Sequence, residues 1–182
     1  MKYDEKQIST DYKYHGAVIN LRVDQAQLPD GQIVQREVVE HHGGVGIAME
    51  DEEGKFFMVT QWRYAQNMTT MEYPAGKREP GEDDLTTAKR EIVEETGYEG
   101  TDFVFLGTNI PTPAYDSEQI GMYYAKKGKF CGQNLDPDEF LNLSRMSLDE
   151  ITDAIVDGRI QDGKTVAMTF LVREMKRREN TK

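Results

Sequence analysis

Between residues 17 and 61 short runs containing apolar positions, weakly alternating at first and more continuous later, are broken by turn residues, the pattern of strands. Residues 17–28 alternate weakly, Leu28-Pro29-Asp30-Gly31-Gln32 makes a turn, and Ile33 to Val39 alternates again, which predicts an N-terminal hairpin. Val45 to Met49 and Lys55 to Gln61 form a second predicted strand pair around Asp51-Glu52-Glu53-Gly54. Further along the period changes. Leu85, Ala88 and Ile92 recur at helical spacing, so an amphipathic helix is predicted there, stopped after Thr96 by Gly97. Phe103 to Leu106 and Gly121 to Ala125 read as strands. Ser147-Leu148-Asp149-Glu150 is a capping box that opens a helix ending at Gly158, and Val166, Ala167, Phe170, Leu171 and Met175 place a last helix over 164–178. Strands mixed with segregated helices predict an α+β fold, a sheet sandwiched by helices.

Composition narrows the classes. A chain of 182 residues fits one domain with a small N-terminal appendage. The net charge of −11 argues against a nucleic-acid or anionic-membrane binder, because those need basic surface. The lone Cys131 excludes an internal disulfide framework and reads as a spectator thiol. Met1 to Gln7 carries no apolar signal core and no run is long enough to span a membrane, so the expected location is cytoplasmic. His15, His41 and His42 have no metal-ligand spacing with the cysteine and read as structural or solvated.

The chemistry concentrates in residues 76–98. Glu91, Glu94 and Glu95 follow Arg90 on the predicted helix, and offsets of three and four residues bring them to one face. Carboxylates crowded in this way repel one another, and a hard cation such as magnesium or manganese relieves the repulsion. The competing reading is a solvated acidic face. Against it stand the apolar stripe on the same helix, the stiff loop carrying Gly76, Pro80 and Gly81 before it, and the sharp stop at Gly97.

Gly76, five residues, Glu82, seven residues, then Arg90-Glu91-Ile92-Val93-Glu94-Glu95-Thr96-Gly97 resembles the signature of the Nudix hydrolases, with every fixed polar and glycine position present. Only Tyr98 departs, at a packing position where that family usually has an aliphatic residue. The resemblance implies a mixed β-sheet between helices and metal-dependent hydrolysis of nucleoside diphosphates linked to another group. It assigns metal ligation to Glu91 and Glu95 with Glu94 close by, and gives Arg90 and Glu82 the task of orienting them. Upstream, Glu72-Tyr73-Pro74-Ala75-Gly76 resembles the entry of the ADP-ribose pyrophosphatase branch, which makes the Ala75 carbonyl a metal ligand and Lys77 a substrate contact. Downstream, Thr112-Pro113-Ala114-Tyr115-Asp116-Ser117-Glu118 is similar to that branch's substrate loop, with Ala114 where a glycine is usual.

Asp136-Pro137-Asp138-Glu139 falls where the branch carries its water-activating carboxylate. Glu139 is the first choice for base or additional metal ligand, and Glu118 the second. Pro137 stands where a further glutamate is frequent. Arg36, followed by Glu37, and Arg63 match arginines that contact diphosphate or ribose; a guanidinium fork suits phosphate oxygens. The branch forms homodimers by exchanging the N-terminal hairpin, which gives segments 1–40 and 41–182. Ala17-Val18 replace the aromatic rings that some members set against the base; Trp62 and Tyr64 could substitute, although Trp62 reads first as a core residue.

The implied activity is magnesium- or manganese-dependent cleavage of ADP-ribose to AMP and ribose 5-phosphate. The alternatives are cleavage of other nucleoside diphosphate sugars and, from a different class, an ADP-ribose-sensing module without catalysis. A sensor would be expected to carry a degraded signature and an added DNA-binding segment.

Overall fold

The alternation on either side of the Leu28–Gln32 turn forms antiparallel strands β2 (Ile19–Gln27) and β3 (Ile33–His41), in register from Gln27↔Ile33 to Ile19↔His41. The computed structural model, which describes residues 3–135, 137 and 139–181, adds an unexpected strand β1 (Lys6–His15) along β2. The N-terminal hairpin is therefore the second half of a three-stranded sheet. These strands and Ile110–Gln119 make one compact unit. The loop is stitched to β3: the Val39 N–H donates to the Tyr115 carbonyl at 2.8 Å, and the Ser117 N–H to the Val39 carbonyl at 3.0 Å.

The second unit, Gly44–Asn109 with Ile120–Lys182, carries the other strands and all the α-helices of the described residues. Its strands are β4 (Gly44–Glu50), β5 (Lys55–Arg63), β6 (Met68–Glu72), β7 (Ala75–Lys77), β8 (Tyr98–Asn109), β9 (Ile120–Phe130) and β10 (Leu141–Ser147). The sheet runs β10-β5-β4-β9-β8, with β4 and β9 parallel, so it is mixed as expected. Helices α1 (Asp84–Thr96), α2 (Leu148–Val156) and α3 (Gly163–Glu179) complete the α+β fold. The capping box is formed, with the Glu150 N–H on Ser147 Oγ at 3.2 Å and the Ser147 N–H on Glu150 Oε2 at 2.7 Å.

Side chains alternate across a strand, so each central strand feeds two cores. Val45, Ile47, Met49, Phe57, Tyr123 and Ala125 pack with Ala88 and Ile92 of α1. Ala48, Phe56, Met58, Met122 and Tyr124 pack with Ile151 and Ala154 of α2 and with Met168 and Val172 of α3. Leu85, expected on the packed stripe, is 37% exposed because it lies in the first turn of α1.

The pair β4–β5 does not form the simple hairpin that two runs around the Asp51–Gly54 turn suggest. The strands meet at Glu50↔Phe56 and then part; β7 lies along β4 at Gly44–Gly46, and β6 lies along β5. The chain between β6 and β7 fills the fork, where the Pro74 carbonyl accepts the Ile47 N–H at 2.8 Å. This arrangement carries Ala75 and Gly76 to the helix that bears the carboxylates.

Candidate active site

Helix α1 starts at Asp83, whose side chain accepts the Thr86 N–H at 2.8 Å, and ends at Gly97 in the left-handed conformation, with φ 77°. These two stops fix which residues face the sheet. Glu91 and Glu95, one turn apart, are both buried. Glu91 lies against Gly76, where an added Cβ would stand 1.8 Å from the Glu91 carboxyl carbon, so any side chain there must displace that carboxyl. Glu95 Oε2 accepts the Ala75 N–H at 3.0 Å.

Arg90 organises the remaining carboxylates. Its Nε and Nη2 bond Glu82 at 3.0 and 2.9 Å, and its Nη1 bonds Glu91 at 2.8 Å and Glu94 at 2.9 Å. Nη2 also donates to the Lys77 carbonyl at 3.1 Å, which ties β7 to the helix; the Lys77 side chain itself is exposed. The Arg90 hydrogen bonds, with help from Thr87 and the Glu79 N–H, hold the Glu82 carboxyl down at about 2. Glu91 and Glu95 behave in the opposite way. Burial pushes Glu91 up to about 7 despite Arg90, and the charges of Glu94 and Glu139 add to the rise. Burial pushes Glu95 up to about 8; the Ala75 N–H and Lys164 offset part of that, while Glu91 and Glu139 add to it. Two buried carboxyls thus sit where their surroundings do not support negative charge, and a bound cation would supply the means to hold it.

Glu139 is exposed, yet its charge reaches both Glu91 and Glu95. The chain leading to it is anchored on the end of α1: the Cys131 N–H meets the Gly97 carbonyl at 2.7 Å and the Asn134 N–H the Glu94 carbonyl at 3.0 Å. Asp136 and Asp138 of the expected acidic turn lie outside the described residues. Among the described residues no three acidic, histidine or cysteine side chains stand together as a ready metal cage. A cation here would take Glu91 and Glu95 together with main-chain oxygen and water.

The remaining sequence-predicted residues fall into two groups. Arg63 belongs to the second unit, where its Nε and Nη2 grip Glu72 at 2.7 and 2.6 Å. Arg36, Glu37, Pro113, Ala114 and Glu118 all lie in the first unit. There Arg36 forks onto Glu5 at 2.9 and 2.8 Å, while Glu37, Pro113 and Ala114 are exposed. Glu118 lies 3.3 Å from His41 Nδ1. Trp62, expected in the core, is 56% exposed because it stands near the end of β5.

Sequence reasoning missed Lys164, Thr165 and Asp162 at the start of α3. Lys164 is 8% exposed and its ammonium bonds Glu72. One signal was available: a lysine in the first turn of a helix opposes the helix dipole and therefore needs a local partner.

A model described as the NUDIX domain matches residues 40–169. The chain is 41% identical over 166 residues to the methanol dehydrogenase activator of Bacillus methanolicus, which covers 90% of each chain. It is 33% identical over 164 residues to the ADP-ribose pyrophosphatase of Bacillus subtilis, which covers 89% of each. It is 37% identical over 125 residues to the ADP-ribose pyrophosphatase of Mycobacterium tuberculosis, covering 68% of this chain and 60% of that one. A crystal structure of an ADP compounds hydrolase superposes with a TM-score of 0.80 over 96% of this chain and 95% of that one, at 18% identity, a likeness of fold.

Proposed function

The chain belongs to the Nudix family and is a Nudix pyrophosphohydrolase, and from that premise we propose that it hydrolyses ADP-ribose to AMP and ribose 5-phosphate. The observation that carries this reading is the pair of buried, under-compensated carboxylates, Glu91 and Glu95, one turn apart on α1. In this reading they hold a divalent cation, magnesium or manganese, with the carbonyl of Ala75. Such a cation, when bound, would supply charge neutralisation at the phosphates and make the attacking water easier to deprotonate.

The side chains have separate tasks. Arg90 fixes Glu91, Glu94 and Glu82 in one array, and the Ala75 N–H orients Glu95. Glu139 takes the proton of the attacking water, with Glu118 and Glu94 as the further candidates. The water oxygen bonds to one phosphorus, the bridging P–O bond breaks, and the departing phosphate keeps the bond's electrons. Arg36, Glu37, Arg63, Lys77, Pro113, Ala114 and Glu118 contact the substrate. The chain acts as a cytoplasmic homodimer in the same reading. Support comes from β1, which is exposed along its whole length and offers Ile8, Tyr12 and Tyr14 to a second copy.

Incubation with ADP-ribose and magnesium is expected to release AMP and ribose 5-phosphate, and EDTA to stop the reaction. Absence of AMP alongside faster cleavage of another nucleoside diphosphate sugar moves the assignment to that sugar. ADP-ribose binding without cleavage of any such compound supports the sensing module instead. The relative at 41% identity favours a second reading, in which this chain raises the activity of a methanol dehydrogenase. Methanol oxidation measured with and without the chain tests it.

Gly76→Ala is expected to lower kcat/KM by about 100-fold, because displacing a positioned group by ~1 Å has an effect of that order. The added methyl must push Glu91 away from β7. Parent-like kcat/KM in this variant would show that Glu91 need not lie against Gly76.

A further inference from the structure

Four consecutive residues lead into the site, and each is tied down by a different group. Glu72 takes the Lys164 ammonium and the Arg63 fork. The Tyr73 N–H donates to Thr165 Oγ at 3.1 Å. The Pro74 carbonyl takes the Ile47 N–H, and the Ala75 N–H reaches Glu95. Two of the four ties therefore come from the first turn of α3, about ninety residues further along the chain. That turn is held in place in its own right. Asp162 caps it, accepting the Thr165 N–H at 2.9 Å and the Thr165 hydroxyl at 2.6 Å, and it pairs with Lys164 at 3.0 Å.

Simple packing does not account for this choice of residues. A buried ammonium in the first turn of a helix opposes the helix dipole and loses its hydration, whereas an apolar side chain would fill the same space without either penalty. Glu72 already has a bidentate cation in Arg63. The second cation is aimed at the residue that begins the Glu72–Ala75 segment, and its charge is felt at Glu95 as well. Through a stretch this short, a shift at Glu72 or Tyr73 passes directly to the Ala75 peptide.

We propose that Lys164 and Thr165 are positioning residues of the active site, which fix the Glu72–Ala75 segment and thereby set the Ala75 carbonyl and the Glu95 carboxylate for cation binding. The inference rests on the metal-dependent reading above. Lys164 and Thr165 act through Glu72, Tyr73 and Ala75 and touch no reacting atom.

The test measures binding of Mn2+ alone, from the loss of the free-ion paramagnetic resonance signal, and kcat and KM for ADP-ribose. Parent protein is compared with Thr165→Val, Thr165→Ser, Lys164→Met and Lys164→Arg. Thr165→Val and Lys164→Met are each expected to weaken Mn2+ by about tenfold or more, the usual effect of removing a group that orients a metal ligand. The loss of activity is expected mainly in kcat. Thr165→Ser restores both readouts, and Lys164→Arg restores more than Lys164→Met does. A folded Thr165→Val with parental Mn2+ affinity and kcat overturns the proposal, and this variant decides the matter if Lys164→Met fails to fold. If Thr165→Val loosens Mn2+ while the parent cleaves no ADP-ribose, the positioning role stands and the substrate assignment falls.

Discussion

Replacing Glu95 with glutamine is expected to lower kcat for ADP-ribose by a factor on the order of 10³ or more, with the fold intact. Glutamine matches the shape of the side chain, and its Oε1 can still accept the Ala75 N–H. What it removes is the charge that would hold a cation. Stability should move in the other direction. Glu95 is 2% exposed, and burial raises its carboxyl from 4.5 to about 8. A group raised in this way contributes stability that is complete below its unfolded value and is lost as pH rises through the folded one. The metal-free parent therefore loses stability between about pH 4.5 and 8 that the glutamine variant keeps. Thermal midpoints in EDTA at pH 5 and pH 8 measure this, beside Mg2+ affinity and kcat at pH 8. A kcat within tenfold of the parent would remove Glu95 from the metal site. A lower metal-free midpoint at pH 8 would mean that the carboxylate serves the fold.

Local chemistry made α1 and its acidic face legible before any coordinates. The helical period, the stop at Gly97 and the capping box at Ser147 and Glu150 are each set by residues within one or two turns. β1 could have been read in the same way, since Ile8, Thr10, Tyr12 and Tyr14 alternate with polar residues; its uniform exposure shows why it carries no strong apolar signal. The fork between β4 and β5 was not legible. β7 has three residues, too few for any period, and its placement depends on Gly76 meeting Glu91 from another element. Trp62 misled because bulk and apolarity imply the core only when a partner layer reaches that far along the strand. The contribution of α3 is the least local of all. Lys164 reads as surface charge until Glu72, 92 residues earlier, is seen beneath it.

That distant pair makes the second large prediction. Glu72→Gln is expected to lower the thermal midpoint at pH 7 by roughly 10 °C or more, because breaking a buried ion pair costs about 3–5 kcal/mol. Both Lys164 and Glu72 are buried, so the variant leaves an enclosed ammonium that keeps Asp162 but loses its Glu72 carboxylate. Burial acts to raise the Glu72 carboxyl, but the Arg63 hydrogen bonds and the Lys164 charge outweigh it and draw the group from 4.5 down to about 2. A carboxyl lowered in this way gives stability that is present above its unfolded value and is lost as pH falls through the folded one. The gap between parent and variant should therefore be full at pH 7 and close as pH falls from about 4.5 toward 2. Adding Lys164→Met to Glu72→Gln should recover part of the loss, since it removes the enclosed ammonium while Arg63 is partly exposed and Asp162 keeps its bonds to Thr165. Midpoints of the parent, the Glu72→Gln and Lys164→Met single variants and the double variant across pH 2.5 to 7 test all of this at once. A gap that does not change with pH would mean that the glutamine is tolerated or rejected for its shape. Recovery in the double variant without recovery of Mn2+ affinity would separate the two tasks of the pair, with charge balance serving the fold and hydrogen-bond geometry serving the site.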